Sequence, residues 1–280
     1  MNLIFKILLP LALLAVFAGC DKEQKRNTSF PPMPNEQNTS LARQIQYVSG
    51  ILEQDASNPG YYYRRAGLLL EAGRLTTAAQ DLQKAILLNG REPAYHYLYA
   101  RVLRNDGKYQ QALAEAEQAL EGGIDQPGLN LLMGELYHLN QQDSLAIPWL
   151  KKAIASLPEG HLPWFYLGTI YTSKSDTALA GQHLRQAIAR QPGYLPAVKQ
   201  LLQLYNKGGF YKQSLALAGT TLKTAEPDAR FSYLAATALE QTGQRDSAMI
   251  WYGKAVEKDE NLWQAHLQLA RFYFKEVQVK

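Results

Sequence analysis

Small residues return every 34 positions along this chain, and that period restricts the possible folds more tightly than any other feature. The stretch WFYLGTIYTSKSDTALAGQHLRQAIARQP, residues 164–192, is found again and again when it is slid along the sequence in steps of 34. Its Trp164, Leu167, Gly168, Tyr171, Ala180, Leu184 and Ala187 recur at helical spacing on either side of a break at Ser173 to Asp176. That is the mark of two short amphipathic helices folded back on each other.

The small positions carry the argument. The first helix of each unit offers Ala66, Ala100, Gly134, Gly168, Leu202 and Ala236. The second offers Ala78, Ala112, Ala146, Ala180, Ser214 and Ala248, then Ala85, Ala119, Ala153, Ala187, Thr221 and Ala255. Fifteen of these eighteen are Ala or Gly, where the overall content of those residues predicts fewer than four. Two helices in a hairpin approach closely only where no side chain intervenes, so a larger residue there overpacks at about 1–3 kcal/mol. Leu69, Leu103, Tyr137, Tyr171, Tyr205, Leu239 and Tyr273 fill the space between hairpins, and Gly73, Gly107, Gly209 and Gly243 mark the turns. The fifth unit departs from the pattern at Leu202, Ser214 and Thr221, with Ala218 where its neighbours have Leu150 and Leu184. A compensated, slightly displaced helix pair is expected there.

This pattern resembles the tetratricopeptide repeat family over roughly residues 60–277. The resemblance implies an all-α superhelical solenoid over 41–280, with repeats near 60–92, 94–126, 128–160, 162–194, 196–228 and 230–262. A helix at Leu41 to Gln54 caps the amino-terminal end, and one over 262–277 closes the array.

The first twenty residues, MNLIFKILLPLALLAVFAGC, have one lysine, an apolar run from Ile7 to Phe17 and small residues before the cysteine. The run is shorter than the roughly 20 residues that span a bilayer, and Pro10 interrupts it, so it reads as a secretory signal over 1–19. Ending on Ala18, Gly19 and Cys20, it resembles a bacterial lipoprotein signal, although Phe17 stands where that family usually has an aliphatic residue. The resemblance implies a covalent lipid on Cys20 and a site in the bacterial envelope, on the outer membrane and facing the periplasm. A plain N-terminal anchor with an incidental cysteine is the alternative. Residues 20–40 then hold the lipidated cysteine and a polar tether with Pro31, Pro32 and Pro34. As a coil its 18 or so residues spread to roughly 23 Å.

Function classes are narrowed by what is missing from the sequence. Acidic and basic residues are interspersed at a net charge of +4, with no basic stripe to follow a phosphate backbone, which argues against nucleic acid. Cys20 is the single cysteine, so neither an internal disulfide nor a cysteine metal site can form. His96, His138, His161, His183 and His266 lie in different units without a metal-ligand spacing. His96 and His266 share a unit position with Tyr62 and Trp164, which assigns them to packing. The Gly122–Gly123 and Gly208–Gly209 pairs lack the residues of a phosphate loop, and no nucleophile elbow is present. No catalytic site, metal or soluble cofactor is expected.

Resemblance to the family places a partner groove on the first helices. One row of it holds Tyr63, Tyr97, Leu131, Phe165, Lys199 and Tyr233. A second holds Gly67, Arg101, Glu135, Thr169, Gln203 and Thr237, and a third Leu70, Arg104, His138, Thr172, Asn206 and Glu240. Tyrosines with Arg101 and Arg104 one turn apart suit a peptide with apolar anchors and some acid. Some members clamp a terminal carboxylate with Lys and Asn, and here Lys199 fits but Gln203 stands where Asn belongs. The expectation is a non-catalytic, membrane-anchored adaptor for segments of other envelope proteins. Two alternatives are self-association through Trp263, Phe272, Tyr273 and Phe274, and an enzyme with an unrecognised site.

Overall fold

The computed structural model describes residues 40–278, with side chains described as far as Phe274. The signal, Cys20 and nearly all of the tether therefore lie outside the described residues. Fourteen α-helices and no strand are found among those described. A single helix, α1 (Leu41–Gln54), precedes six hairpins. These are α2 (Pro59–Glu71) with α3 (Leu75–Leu88), α4 (Pro93–Asn105) with α5 (Tyr109–Glu121), and α6 (Pro127–Leu139) with α7 (Asp143–Ser156). They continue with α8 (Leu162–Ser173) and α9 (Thr177–Arg190), α10 (Leu195–Lys207) and α11 (Tyr211–Thr221), and α12 (Ala229–Gln241) and α13 (Arg245–Lys258). Helix α14 (Trp263–Gln278) follows. Each first helix also touches the first helix of the next hairpin, so α2, α4, α6, α8, α10 and α12 line one continuous side.

Local sequence sets the boundaries. Prolines at the first or second position start α2, α4, α6, α8 and α10, where a missing N–H is harmless. Asp176 and Asp228 cap α9 and α12 by accepting from the N–H groups of Leu179 and Phe231. All six hairpin turns place one residue in the left-handed region, at Gly73, Gly107, Gln141, Ser175, Gly209 and Gly243. Around each, an N–H one residue further on donates to the carbonyl five residues back, as from Arg74 to Leu69 at 2.8 Å and from Gln142 to Tyr137 at 2.8 Å. That pair of features is a Schellman closure, and it consumes carbonyls that the helix end leaves open.

The small residues sit where the period requires them. Ala66, Ala78, Ala85, Ala100, Ala112, Ala180 and Ala187 are fully buried. A β-carbon on Gly134 would come within 2.7 Å of the Leu150 side chain, and one on Gly168 within 2.7 Å of Leu184. In the fifth hairpin the sizes are exchanged across the same contact: Leu202 and Ala218 share one buried cluster. Helix α11 is also short, at 11 residues, and α10 lies directly against α12. Ser214, at an alanine position, is fully buried with a hydroxyl that finds no partner. Removing that stranded group by Ser214→Ala is expected to raise unfolding free energy by about 1 kcal/mol, read from chemical denaturation.

The histidine position shared with Tyr62 does more than pack. Tyr62 Oη donates to the Ala56 carbonyl, while His96 Nε2 and His266 Nε2 lie 3.2 Å and 2.9 Å from the carbonyls of Gly90 and Glu260. Each ties its helix to the loop six residues earlier. At Trp164 the equivalent carbonyl, on Pro158, is taken by Arg190, whose guanidinium lies 4.7 Å from the indole centroid.

The carboxyl-terminal patch needs a correction. Phe272 is not part of an exposed surface: it is buried on α14, with its ring 6.1 Å from Tyr252 and 4.9 Å from the Arg245 guanidinium. The cause is helical phase, because Phe272 falls half a turn away from Trp263 and beside the buried Ala265.

Candidate protein-binding groove

The continuous side formed by the first helices carries the three expected rows. Tyr63, Tyr97, Leu131 and Phe165 are each half-buried, as is appropriate to side chains that pack on a neighbour and still present a face. Tyr63 lies 5.2 Å from Tyr95, ring to ring, and burial first of all raises its hydroxyl pKa. The Tyr97 hydroxyl rests over Gly128, where any β-carbon would come within 2.5 Å of it. Glycine at the start of α6 thus gives this ring its place. Arg101 is exposed, 5.8 Å from the Tyr97 ring, and makes no ion pair among the described residues.

Below this surface lies a polar cluster that joins three hairpins. Glu135 is only 7% exposed. Its Oε1 accepts from Tyr166 Oη at 2.6 Å and stands 3.6 Å from Arg104 Nη1. Burial, then the Glu135 charge, drives the Tyr166 hydroxyl far above its ordinary pKa, so it remains a donor. Tyr194 is raised by the same two causes. Phe165 packs on both of these rings, at 5.4 Å and 5.3 Å. His138 meets the edge of Tyr166 and pairs with Asp143 through Nδ1 at 2.6 Å. Thr169 exchanges hydrogen bonds with Gln200 of the next first helix. Arg104 Nε is buried and lacks an acceptor.

The structure thus gathers Tyr63, Tyr97, Arg101, Arg104, Leu131, Glu135, His138, Phe165 and Thr169 on α2, α4, α6 and α8. Lys199 and Tyr233 stand apart from them. Lys199 forms an ion pair with Asp228 of the following hairpin. Although burial opposes it, that bond and the Phe231 N–H hold the Asp228 carboxyl below its usual range. Tyr233 lies under the Arg230 guanidinium at 5.3 Å and 5.7 Å from Tyr252. Two residues of this cluster, Tyr166 and Tyr194, escaped the sequence reading. A signal for one existed: Glu135 to Tyr166, Arg104 to Glu135 and Thr169 to Gln200 are all pairs 31 residues apart, the offset at which adjacent first helices meet.

Among the described residues no group of three His, Cys, Asp or Glu side chains could hold a metal ion, and no helix is long and apolar enough to cross a membrane.

Models of the tetratricopeptide repeat match residues 63–128, 97–161 and 229–261. Over these residues the chain carries tetratricopeptide repeats. A curated relative, tetratricopeptide repeat protein 21B of Xenopus laevis, is 22% identical over 250 residues. Those cover 77% of the repeat protein but only 19% of the relative, so the chain spans about a fifth of that protein's length. Among solved structures, pilF of Pseudomonas aeruginosa is similar with a TM-score of 0.66 at 16% identity, over 78% of this chain and 99% of its own. A tetratricopeptide repeat protein from Parabacteroides merdae gives 0.62 at 14% identity, over 82% and 91%. The APC/C hetero-tetramer Cut9-Hcn1 gives 0.67 at 16%, over 83% of this chain and 46% of that one. At such identities these likenesses establish the solenoid fold and nothing finer.

Proposed function

We propose that this repeat protein is a non-catalytic adaptor that holds extended or helical segments of other proteins against the α2, α4, α6 and α8 surface. One observation carries the reading: a half-exposed aromatic row lies beside Arg101, which has no ion pair among the described residues, on a surface backed by the Arg104–Glu135–Tyr166 cluster with its buried Glu135. Aromatic rings offer large, stiff contact area at small entropic cost, and a free guanidinium selects carboxylates. The preferred segment has apolar anchors and at least one acid. Tetratricopeptide repeat proteins are in general scaffolds, which agrees with this assignment.

The adaptor works on a membrane in this reading, tethered through a lipid on Cys20 at the periplasmic side of a bacterial envelope. Support comes from the sequence, in the short apolar run ending at Ala18, Gly19 and Cys20 and the polar, proline-containing stretch after it. Its partners would be envelope proteins, such as components of assembly, pilus, secretion or cell-wall machinery.

The test is selection from a display library of random peptides. The wild-type chain should enrich segments with aromatic or aliphatic anchors and an acid. A Tyr97→Ala, Arg101→Ala variant should bind them at least about tenfold more weakly, a loss of ~1.4 kcal/mol, with unchanged helicity. Equal binding by both chains would remove the groove from this surface. In a second arm, Cys20→Ser should abolish incorporation of a labelled fatty acid and release the chain from the membrane fraction. Membrane retention without label would point to a different anchor.

A further inference from the structure

Helix α14 is apolar on two opposite faces. One face is satisfied, since Ala265 is fully buried and Phe272 nearly so. The other presents Trp263, Leu267, Ala270 and Phe274, spaced by four, three and four residues, and all four are exposed. That spacing draws a straight stripe along one side of a helix, the arrangement by which two helices pack along a common seam. Soluble proteins seldom leave such a stripe uncovered.

The repeat register shows what this stripe is made for. Ala270 occupies the position of Ala66, Ala100, Gly134, Gly168 and Ala236, all of which are buried under the second helix of their hairpin. Among the described residues α14 has no second helix. Tyr273 likewise repeats the buried Leu69 and Leu103 but is 57% exposed. Helix α1 cannot supply the missing partner from another copy, because its Val48 and Leu52 are already buried and Ala42, Arg43, Gln46 and Glu53 face outward.

We propose that α14 is a homodimerisation helix, packing antiparallel against α14 of a second copy about a two-fold axis near Gln268 and Leu269. The stripe complements itself in this arrangement. Leu267 faces Ala270 of the other copy, which reproduces the leucine-on-small contact that closes the hairpins at Gly134 with Leu150 and Gly168 with Leu184. Trp263 faces Phe274 of the other copy. Beside Phe274 a groove of about 920 Å³, bounded by Glu240, Gly243, Arg245 and Ala270, has room for an indole ring. The area suits a weak, concentration-dependent pair. Aromatic side chains carry about 150–250 Å² each, so the exposed 65% of Trp263 and 65% of Phe274, with 42% of Leu267, offer on the order of 350 Å² per copy. Two copies together reach about 700 Å², the range of weak and transient contacts. A two-fold contact of this kind closes on itself and yields a pair rather than a filament.

The experiment uses the full chain in mild detergent, with Leu267 replaced by photo-reactive p-benzoylphenylalanine. Irradiation is expected to give a product of twice the monomer mass, whose cross-linked peptide contains Ala270 of the other copy. A cross-link only to lipid or to an unrelated protein, or none at chain concentrations up to about 100 µM, overturns the proposal. Separately, a Trp263→Glu, Leu267→Glu variant should raise the dimer dissociation constant at least tenfold in sedimentation equilibrium with the thermal midpoint of the dilute monomer unchanged. A dimer that persists in that variant equally overturns it.

Discussion

Gly134→Leu is expected to destabilise the array by about 3 kcal/mol, and adding Leu150→Ala to recover most of that loss. The glycine lies against Leu150 so closely that even a β-carbon would come within 2.7 Å of the side chain and 3.1 Å of the backbone nitrogen. A leucine there cannot be absorbed by one rotamer change, which places the cost at the upper end of overpacking. Leu150→Ala alone empties a fully buried site and should cost a similar amount. The double variant is expected to be more stable than either single one because the fifth hairpin already has that arrangement, with Leu202 on the first helix and Ala218 on the second. Denaturant unfolding of the four proteins provides the cycle. Additive losses would mean that hairpin five depends on its altered helix geometry and not on the exchange of sizes.

The second large effect is expected at Asp81. Its carboxylate is 5% exposed and accepts two hydrogen bonds from Arg65, each 2.7 Å long. Arg65 also donates to Ser49 Oγ, which in turn donates to the Ile45 carbonyl, so this one group ties α1 to the first hairpin. Asp81→Ala leaves the guanidinium largely buried without its counter-charge. Removing one partner of a buried pair costs about 3–5 kcal/mol, and the 22% exposure of the Arg65 side chain sets the expected value near 3. An Arg65→Met, Asp81→Leu variant should unfold close to the wild-type midpoint. If Asp81→Ala proved harmless by calorimetry, the α1 junction would rest on apolar packing, with Ile45, Val48 and Leu52 among its residues.

Much of this architecture was legible in the sequence, for a physical reason. A hairpin must bring two backbones together, Ala and Gly allow it most readily, and so the closest contacts recur visibly every 34 residues. The break at Ser173 to Asp176 was legible too, but the left-handed residue of a turn was legible only where it is glycine. Gln141 and Ser175 adopt the same left-handed conformation at the same register position, and nothing in their chemistry announces it. The groove was legible as rows but not in depth. Spacing placed Glu135 among surface positions, whereas packing of Tyr166 over it makes it a buried anchor for that surface. Lys199 read as a groove position fit for a carboxylate clamp because its acid, Asp228, belongs to the next unit. Phe272 was misplaced for the opposite reason, since clustering in sequence at Phe272, Tyr273 and Phe274 sends three rings in different directions on a helix.

At the helix crossing the contact between a small residue and its larger counterpart closes inside the hairpin, sixteen positions apart, at Gly134 with Leu150, Gly168 with Leu184 and Leu202 with Ala218. Each of these units therefore travels with both halves of its own fit, including the fifth, whose halves are reversed. Gene duplication or deletion in whole units can lengthen or shorten such a chain without disturbing the interior of those that remain, whereas a cut made mid-unit strands a leucine against nothing.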